Sequence, residues 1–261
     1  MKIWSDNSWI DSTDSSSSEG FQYGYAFFET MLVKNNVAFN QECHVNRLEK
    51  SIEKLTAEKF FCDRFSIQES IKKLPKGLWV FKLLVYKDGS EFRMEFFQRK
   101  YPYTSEKLAN GFSLLKSNVI KSSTSLLLQH KTTNYLENYL ERQRALKLGY
   151  NDVYFSNNES IITECSSSNL FIKQGNKLIT SPIVAGLLPG VVRSKILGLN
   201  SKIDLNVMEQ DITPMMLKKA DNVFVSNSLI GMVGINKVDN LIYEKSDSLI
   251  EFINDMIGFK I

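Results

Sequence analysis

IITECSSSNLF, residues 161–171, is the stretch of this sequence that most strongly decides its fold. An apolar segment ends at Glu164, small residues follow, and a second apolar segment begins after Asn169. Two such segments joined by a short polar connection are typical of neighbouring strands. The connection could present hydroxyl and amide N–H groups to an anion, with Glu164 facing a cationic ring nitrogen. An ordinary serine-rich hairpin turn is the simpler alternative.

A lysine stands upstream of this stretch, in residues 129–135 (QHKTTNY), between an apolar segment and a predicted helix. Desolvation at such a place lowers the pKa of a lysine amine and makes it a usable nucleophile. Lys131 is therefore a candidate catalytic residue. The alternative is an exposed lysine in front of a helix.

Two further polar segments lie downstream. Residues 187–193 (LLPGVVR) lead from a Pro-Gly pair into a predicted helix, whose first N–H groups, at Val191 and Val192, could bind an anion. Residues 224–229 (FVSNSL) predict a strand that ends in small polar residues, and Ser228 could reach a phosphate. Ordinary turns explain either segment equally well when it is taken alone.

The hydrophobic pattern predicts an α+β protein, with an N-terminal domain over residues 1–110 and a C-terminal domain over residues 111–261. Alternating or apolar segments around turn residues predict strands, and apolar residues at three- and four-residue steps predict helices. The predicted strands are residues 27–33, 37–39, 78–86, 91–98, 152–155, 160–164, 169–173, 222–226 and 232–238. The predicted helices are residues 44–55, 65–74 (capped by Ser66), 135–148 (ending at Gly149) and 191–199. Residues 11–19 and 101–110 predict a polar loop and a linker.

The composition favours a small-molecule partner. The net charge is +3, from 32 basic and 29 acidic residues that are scattered along the chain, so nothing favours a nucleic-acid partner. The three cysteines, Cys43, Cys62 and Cys165, lack metal-ligand spacing and predict reduced thiols, as in a cytoplasmic protein. No basic start precedes an apolar run, and no apolar run approaches the roughly 20 residues of a membrane helix. The sequence thus predicts a soluble, cytoplasmic protein without a metal site.

The order and spacing of the motifs resemble the class IV (fold-type IV) aminotransferase-like family of pyridoxal-phosphate enzymes. This family includes branched-chain aminotransferases, D-amino-acid aminotransferases and aminodeoxychorismate lyases. The resemblance extends from about Gly20 to Val238. The segments that carry it are YGYAFFET at 23–30 (similar to "GDGxFET"), HVNRL at 44–48 ("HxxRL"), HKTTN at 130–134 and TECSSSNLF at 163–171 ("TExSxxNLF").

The resemblance implies a two-domain fold, with a small N-terminal α+β domain and a larger, barrel-like C-terminal domain, and a homodimer. It implies that pyridoxal 5'-phosphate forms a Schiff base with Lys131, which then shuttles protons at the substrate carbon. Glu164 would pair with the protonated pyridine nitrogen. Arg47 would clamp the phosphate with its planar guanidinium, although a solvated position on its helix is the alternative. The backbone of Val191 and Val192, with Ser228, would complete the phosphate cup.

Within this family, the chain is most similar to the aminodeoxychorismate lyases. Asn227-Ser228-Leu229 resembles the "NSL" of lyase-like members, and Phe28 stands where D-amino-acid aminotransferases carry a tyrosine. The predicted reaction is therefore loss of pyruvate from 4-amino-4-deoxychorismate to give 4-aminobenzoate, a folate precursor. A branched-chain or D-amino-acid aminotransferase is the alternative. A cofactor-free binding protein is a third possibility, but it predicts loss of Lys131 or Glu164, and both are present.

Substrate carboxylates need cationic or hydroxyl partners, which the motifs do not identify. The candidates by position in the predicted strands are Tyr25, Lys82, Tyr86 and Arg93.

Overall fold

The computed structural model describes residues 2–5, 8–11, 18–200 and 204–261, and in it the chain divides into two compact units. The first unit is Met1–Pro102 with His130–Asn134, and the second is Tyr103–Gln129 with Tyr135–Ile261. The sequence predicted one boundary, between residues 110 and 111, and did not indicate that the segment around Lys131 groups with the N-terminal unit. Both units combine helices with strands, so the predicted α+β class is confirmed.

The first unit is built on a six-stranded antiparallel sheet, in the order β2-β1-β6-β5-β3-β4. Its strands are β1 (Lys2–Ser5), β2 (Ser8–Asp11), β3 (Ala26–Lys34), β4 (Val37–Ala38), β5 (Leu78–Asp88) and β6 (Glu91–Lys100), and its helices are α1 (Glu19–Gln22), α2 (Gln41–Thr56) and α3 (Arg64–Lys72). Both predicted hairpins and both predicted helices are confirmed. The predicted cap of α3 is wrong, because the Asp63 carboxylate accepts hydrogen bonds from the amides of Phe65 and Ser66. Of the predicted polar loop, residues 12–17 lie outside the described residues.

Alternation along β3 gives the two faces of this sheet different roles. Phe27, Met31 and Val33 are buried in a core with apolar residues of α2 and α3. Phe28 and Thr30 therefore belong to the opposite face.

The second unit contains a larger sheet, in the order β12-β11-β10-β13-β14-β7-β8-β9, with β15 beside β14. Its strands are β7 (Phe112–Lys121), β8 (Asp152–Asn157), β9 (Ile162–Cys165), β10 (Asn169–Gln174), β11 (Lys177–Thr180), β12 (Asn206–Glu209), β13 (Asn222–Asn227), β14 (Gly231–Val238) and β15 (Leu241–Ile242). Its helices are α4 (Ser105–Ala109), α5 (Leu136–Lys147), α6 (Val191–Leu197), α7 (Pro214–Lys218) and α8 (Asp247–Met256). Strand β9 pairs with both β8 and β10, so part of this sheet closes into the predicted barrel-like arrangement.

Most elements predicted for the C-terminal half are present, with ends shifted by a few residues. Gly149 follows α5 with φ +81°, as expected for a residue that ends a helix. The predicted linker is partly wrong, because residues 105–109 form α4, which Thr104 caps through the amide of Lys107. The sequence analysis also missed β7, β11, β12, β15, α7 and α8. No helix in the described part of the chain is long and apolar enough to cross a membrane.

Candidate active site

Lys131 lies on a short segment that is hydrogen-bonded to the start of β3. The amide of Phe28 donates to the Lys131 carbonyl at 2.8 Å, and the amide of Thr133 donates to the Ala26 carbonyl at 2.9 Å. Since Phe27 and Thr132 form an antiparallel bridge, Lys131 shares the sheet face of Phe28. The Lys131 Nζ atom stands 4.2 Å from the centre of the Phe28 ring. The candidate nucleophile is thus held over an aromatic ring.

Asn134 ties the lysine segment to the glycine of the first motif. Its Nδ2 atom donates to the Gly24 carbonyl at 3.0 Å. Gly24 has φ +66°, and a Cβ atom there would come within 2.6 Å of the Asn134 Oδ1 atom. Glycine is therefore required at this position for both its backbone conformation and the close approach.

Arg47 is paired with the buried Glu29 on the helix-covered side of β3. Its Nε and Nη2 atoms donate to the two carboxylate oxygens of Glu29 at 2.7 and 2.6 Å. The Arg47 side chain is only 13% exposed, so the alternative of a solvated position is wrong. A guanidinium carries five N–H donors, and a phosphate clamp would use donors beyond those given to Glu29.

His44 completes this cluster. Its Nδ1 atom lies 2.6 Å from Glu29 Oε2, and because a carboxylate only accepts, Nδ1 carries the proton. Burial lowers the pKa of His44, which favours the neutral imidazole. Burial alone would raise the pKa of Glu29, but electrostatic attraction to Arg47 and His44 and the hydrogen bonds from both residues outweigh burial and lower that pKa to about 2.

Glu164 stands where the barrel of the second unit closes. It pairs with Asn169 in the register of β9 and β10. Its Oε2 atom accepts from the amide of Leu188 at 3.1 Å and from Asn169 Nδ2 at 3.3 Å. Asn169 Nδ2 also donates to the Leu188 carbonyl at 2.9 Å. These donors stabilise the charged form of the carboxylate and connect it to the loop before α6.

The loop before α6 packs tightly on Asn169. A Cβ atom on Gly190 would lie 2.0 Å from Asn169 Oδ1, so only glycine fits. Helix α6 begins at the next residue, and its first two side chains, Val191 and Val192, are buried. Their amides belong to the first turn, whose N–H groups have no acceptor within the helix. The predicted phosphate donors are therefore on the same loop and helix start that Asn169 anchors beside Glu164.

Ser228 lies in the hairpin loop between β13 and β14. Ser226, two residues earlier in β13, is 1% exposed, and its hydroxyl has no hydrogen-bond partner in the described part of the chain. Ser226 pairs in register with Asn169, the residue that contacts Glu164. A buried, unpartnered hydroxyl in register with Asn169, which contacts both Glu164 and the Gly190 loop, fits a polar group such as pyridoxal phosphate.

Three of the four candidate carboxylate-binding residues already have acidic partners. Tyr25 donates to Glu58 at 3.3 Å, Tyr86 donates to Glu95 at 2.8 Å, and Arg93 pairs with Asp88. The fourth, Lys82, contacts aromatic rings.

Lys82 shares its sheet face with Lys131. It pairs in register with Thr30, which belongs to the face that carries Phe28. The Lys82 Nζ atom lies 4.5 Å from the centre of the Phe28 ring and 6.0 Å from that of Phe97. Burial lowers the pKa of Lys82, and no carboxylate pairs with it among the described residues. Lys82 and Lys131 therefore flank one aromatic ring.

The structure thus groups the predicted residues by unit: Lys131 and Arg47 are in the first, and Glu164, Val191, Val192 and Ser228 in the second. Sequence reasoning missed Glu29, whose signal was its place in the "FET" motif, and the amide side chains that join the loops. The sequence signal for Asn169 was likewise its place in a motif, "TExSxxNLF". Their hydrogen-bond partners gave no signal in the sequence.

Comparisons with known proteins show the family and the fold of this chain. The model of amino-transferase class IV matches residues 26–238. The chain is 24% identical over 237 residues to the D-alanine aminotransferase of Bacillus licheniformis, covering 84% of this chain and 81% of that protein. It resembles the crystal structure of 4-amino-4-deoxychorismate lyase from Pseudomonas aeruginosa (TM-score 0.87, 22% identity, 98% and 97% of the two chains). It also resembles the branched-chain aminotransferase of Thermoproteus uzoniensis (TM-score 0.86, 19% identity, 100% and 96%). The two solved structures confirm the predicted fold.

Proposed function

This chain belongs to the class IV aminotransferase family, and on that premise we propose that it is a pyridoxal-phosphate-dependent 4-amino-4-deoxychorismate lyase. The reaction removes pyruvate from 4-amino-4-deoxychorismate and leaves 4-aminobenzoate. The observation that carries the lyase assignment is the hairpin loop with Asn227-Ser228-Leu229, which resembles the "NSL" of lyase-like members. Phe28, which contacts Lys131 and Lys82, supports it, because a D-amino-acid aminotransferase is expected to carry tyrosine there.

Bound pyridoxal phosphate supplies an electron sink for the negative charge that remains when a substrate carbon loses a proton. We assign Lys131 Nζ to hold the cofactor and to take that proton. Glu164 would pair with the ring nitrogen, and its hydrogen bonds from the Leu188 amide and Asn169 Nδ2 orient the carboxylate. In this proposal Arg47, Ser228 and the first amides of α6 would bind the phosphate. Each role suits the chemistry of the residue to which it is assigned.

The lyase reaction requires little more of the protein than to bind and orient the substrate and to remove a proton from it. Once the substrate ring loses its proton, departure of the enolpyruvate group makes the ring aromatic, and the departing group takes up a proton to become pyruvate. Aromatisation supplies the driving force. No second substrate is needed.

An aminotransferase is the second candidate, and the similarity to the D-alanine aminotransferase of Bacillus licheniformis supports it. Both reactions begin with the same proton removal by Lys131. They differ afterwards, because a transaminase retains the amino group of its substrate and then needs a 2-oxo acid as amino acceptor. The requirement for a 2-oxo acid therefore separates the two.

The test supplies the cofactor-loaded protein with 4-amino-4-deoxychorismate generated in situ and follows 4-aminobenzoate without any 2-oxo acid. We expect release, and we expect Lys131→Ala to slow it roughly 100-fold or more, the contribution of a positioned proton-transfer group. Lys72→Ala, on an exposed lysine of α3, should leave the rate unchanged. A chromophore-bearing protein that releases no 4-aminobenzoate but transfers an amino group to 2-oxoglutarate would exclude the lyase and support the aminotransferase.

A further inference from the structure

Asn227 ends β13 and organises the hairpin loop that contains Ser228. Its Oδ1 atom accepts from the amides of Leu229 at 2.8 Å and Ile230 at 3.1 Å. This is the usual way in which an asparagine side chain stabilises a turn that begins at its own position. The oxygen end of Asn227 thereby fixes the backbone on either side of Ser228.

The nitrogen end of the same side chain reaches a different loop. Asn227 Nδ2 donates to the Ser167 carbonyl at 3.1 Å. Ser167 belongs to the turn directly after Glu164, which the Cys165 amide closes by donating to the Ser168 carbonyl at 2.7 Å. Asn227 therefore holds the turn that connects Glu164 to Asn169.

Two side chains at the start of α5, those of its N-cap Tyr135 and of Asn138, also bind this turn. The Ser166 carbonyl accepts from Asn138 Nδ2 at 3.0 Å and from the Tyr135 hydroxyl. Because Ser166 and Ser167 each give their carbonyl to a side chain from elsewhere in the unit, the turn is fixed by its surroundings as well as by its own closing bond. Asn227 is the member of this set that also contacts a second loop of the candidate site.

Stabilisation of the hairpin loop alone does not account for both ends of Asn227. A turn-forming asparagine needs only its side-chain oxygen, and that role leaves the amide nitrogen unassigned. Asn222, at the other end of the same strand, gives the simpler case: its Nδ2 atom donates to the Glu244 carbonyl at 2.8 Å in an exposed hydrogen bond, and neither residue belongs to a predicted motif. Asn227 differs because both of its contacts lie in loops that carry predicted cofactor-binding residues.

We infer that Asn227 is a positioning residue, whose amide fixes the Glu164 turn and the Ser228 loop relative to each other. The inference rests on the proposed pyridoxal-phosphate site, in which Glu164 serves the ring nitrogen and Ser228 the phosphate. One side chain then sets the spacing between the groups that receive two different parts of the cofactor. Asn227 needs no contact with the cofactor to do this.

Serine and alanine at this position separate the two contacts. Asn227→Ser keeps a side-chain oxygen that can accept from the loop amides but is too short to reach Ser167, and it adds no charge near the phosphate. Asn227→Ala removes both contacts. Asn222→Ser is the matched control, because it removes a side-chain-to-carbonyl hydrogen bond from the other end of β13.

The experiment titrates the apo forms with pyridoxal phosphate and with pyridoxal, following the absorbance of the bound chromophore. We expect Asn227→Ser to weaken both ligands by a similar factor, roughly tenfold, since loss of the Ser167 contact loosens the Glu164 turn. We also expect a shifted pH midpoint for the colour change of the bound chromophore. Asn227→Ala should weaken pyridoxal phosphate further than pyridoxal. Asn222→Ser should bind both like the wild type, with an unchanged midpoint.

The outcomes separate this inference from the function on which it rests. If wild-type protein forms no chromophore with either ligand, the proposed function and the inference both fail. If the wild type binds and Asn227→Ser binds both ligands within twofold of it, with the same midpoint, only the inference fails. Thermal melting of each apo variant identifies any that do not fold, and Asn227→Ser decides the matter if Asn227→Ala is one of them.

Discussion

Lys82 and Lys131 contact the same aromatic ring, but they suit different tasks. Lys131 lies on a segment fixed to β3 by backbone hydrogen bonds, which suits its proposed role of holding the cofactor. Lys82 is a partly desolvated cation near the rings of Phe28 and Phe97, and no carboxylate among the described residues pairs with it. A buried cation without a counter-charge is costly. An anionic substrate group would supply that charge, so Lys82 is the best placed of the four carboxylate-binding candidates.

Replacement of Lys82 by methionine tests this role. Lys82→Met keeps most of the apolar stem and removes the charge, so we expect kcat/KM for the proposed substrate to fall roughly 10- to 100-fold, the range for a lost charge-assisted hydrogen bond. The effect should appear mainly in KM. The control is Arg93→Met, because Arg93 is exposed and already paired with Asp88. Steady-state kinetics in which both variants behave alike would remove Lys82 from the substrate site.

At the scale of elements, the sequence predicted strands and helices better than the contacts between them. The hairpin of β5 and β6 was visible because apolar segments flank Lys87-Asp88-Gly89-Ser90. The cap of α3 was misassigned because Asp63 and Ser66 are both good capping residues, and the local pattern cannot choose between them. The shared face of Lys82 and Lys131 depends on pairing of β3 with β5 and with residues near 132. Strand register between such distant segments is not encoded in local periodicity.

The same holds for the candidate site: the sequence indicated which residues could belong to it but not the contacts between them. Motif spacing identified Lys131, Arg47 and Glu164, because these residues stand in recognisable segments. Asn227 entered only as part of a three-residue resemblance, and its hydrogen bond to Ser167 spans 60 positions of sequence. Glu29 likewise stood in a motif, but its partners are on α2. Side-chain contacts that join elements become visible only when the fold brings the elements together.

The Glu29 cluster joins strand β3 to helix α2 and predicts how stability depends on pH. The pKa of Glu29 in the folded protein is about 2, against an ordinary value of 4.5. Because the folded pKa is depressed, its contribution to stability is present above pH 4.5 and is lost as the pH falls towards 2. A shift of this size corresponds to a contribution on the order of 3 kcal/mol.

Chemical denaturation across a pH series tests this contribution. We expect Glu29→Gln to lower the free energy of unfolding at pH 7 and to flatten its decline between pH 4.5 and pH 2. Glu69→Gln is the control, since the Glu69–Lys72 pair on α3 is largely exposed and should contribute little. If the free energy of unfolding falls equally steeply between pH 4.5 and pH 2 in Glu29→Gln and in the wild type, Glu29 is not the group that causes the loss of stability in acid.

At the scale of the whole molecule, α5 carries apolar residues that this chain does not bury. The sequence pattern of Leu136, Tyr139 and Leu140 predicted the helix, but these side chains are 69%, 56% and 55% exposed, while Ala145 is fully buried. They are spaced three and four residues apart and so form one face of the helix. Periodicity shows that a face is apolar and does not show what covers it. The family resemblance implies a homodimer, and we propose that a second copy of this chain covers the α5 face.

Introduction of negative charge on this apolar face tests the proposed dimer. Each apolar side chain of this size contributes about 1.5–3 kcal/mol when it is fully buried, so the double variant Leu136→Glu/Leu140→Glu should weaken association by more than about 100-fold. Light scattering should then give twice the mass of one chain for the wild type and the mass of one chain for the variant. The control is Ile242→Glu, at an exposed apolar position on β15, which should remain dimeric. A double variant that stays dimeric would place the interface elsewhere, and a monomeric wild type would remove the need for a partner copy. Exposure of the α5 face would then be a property of the single chain.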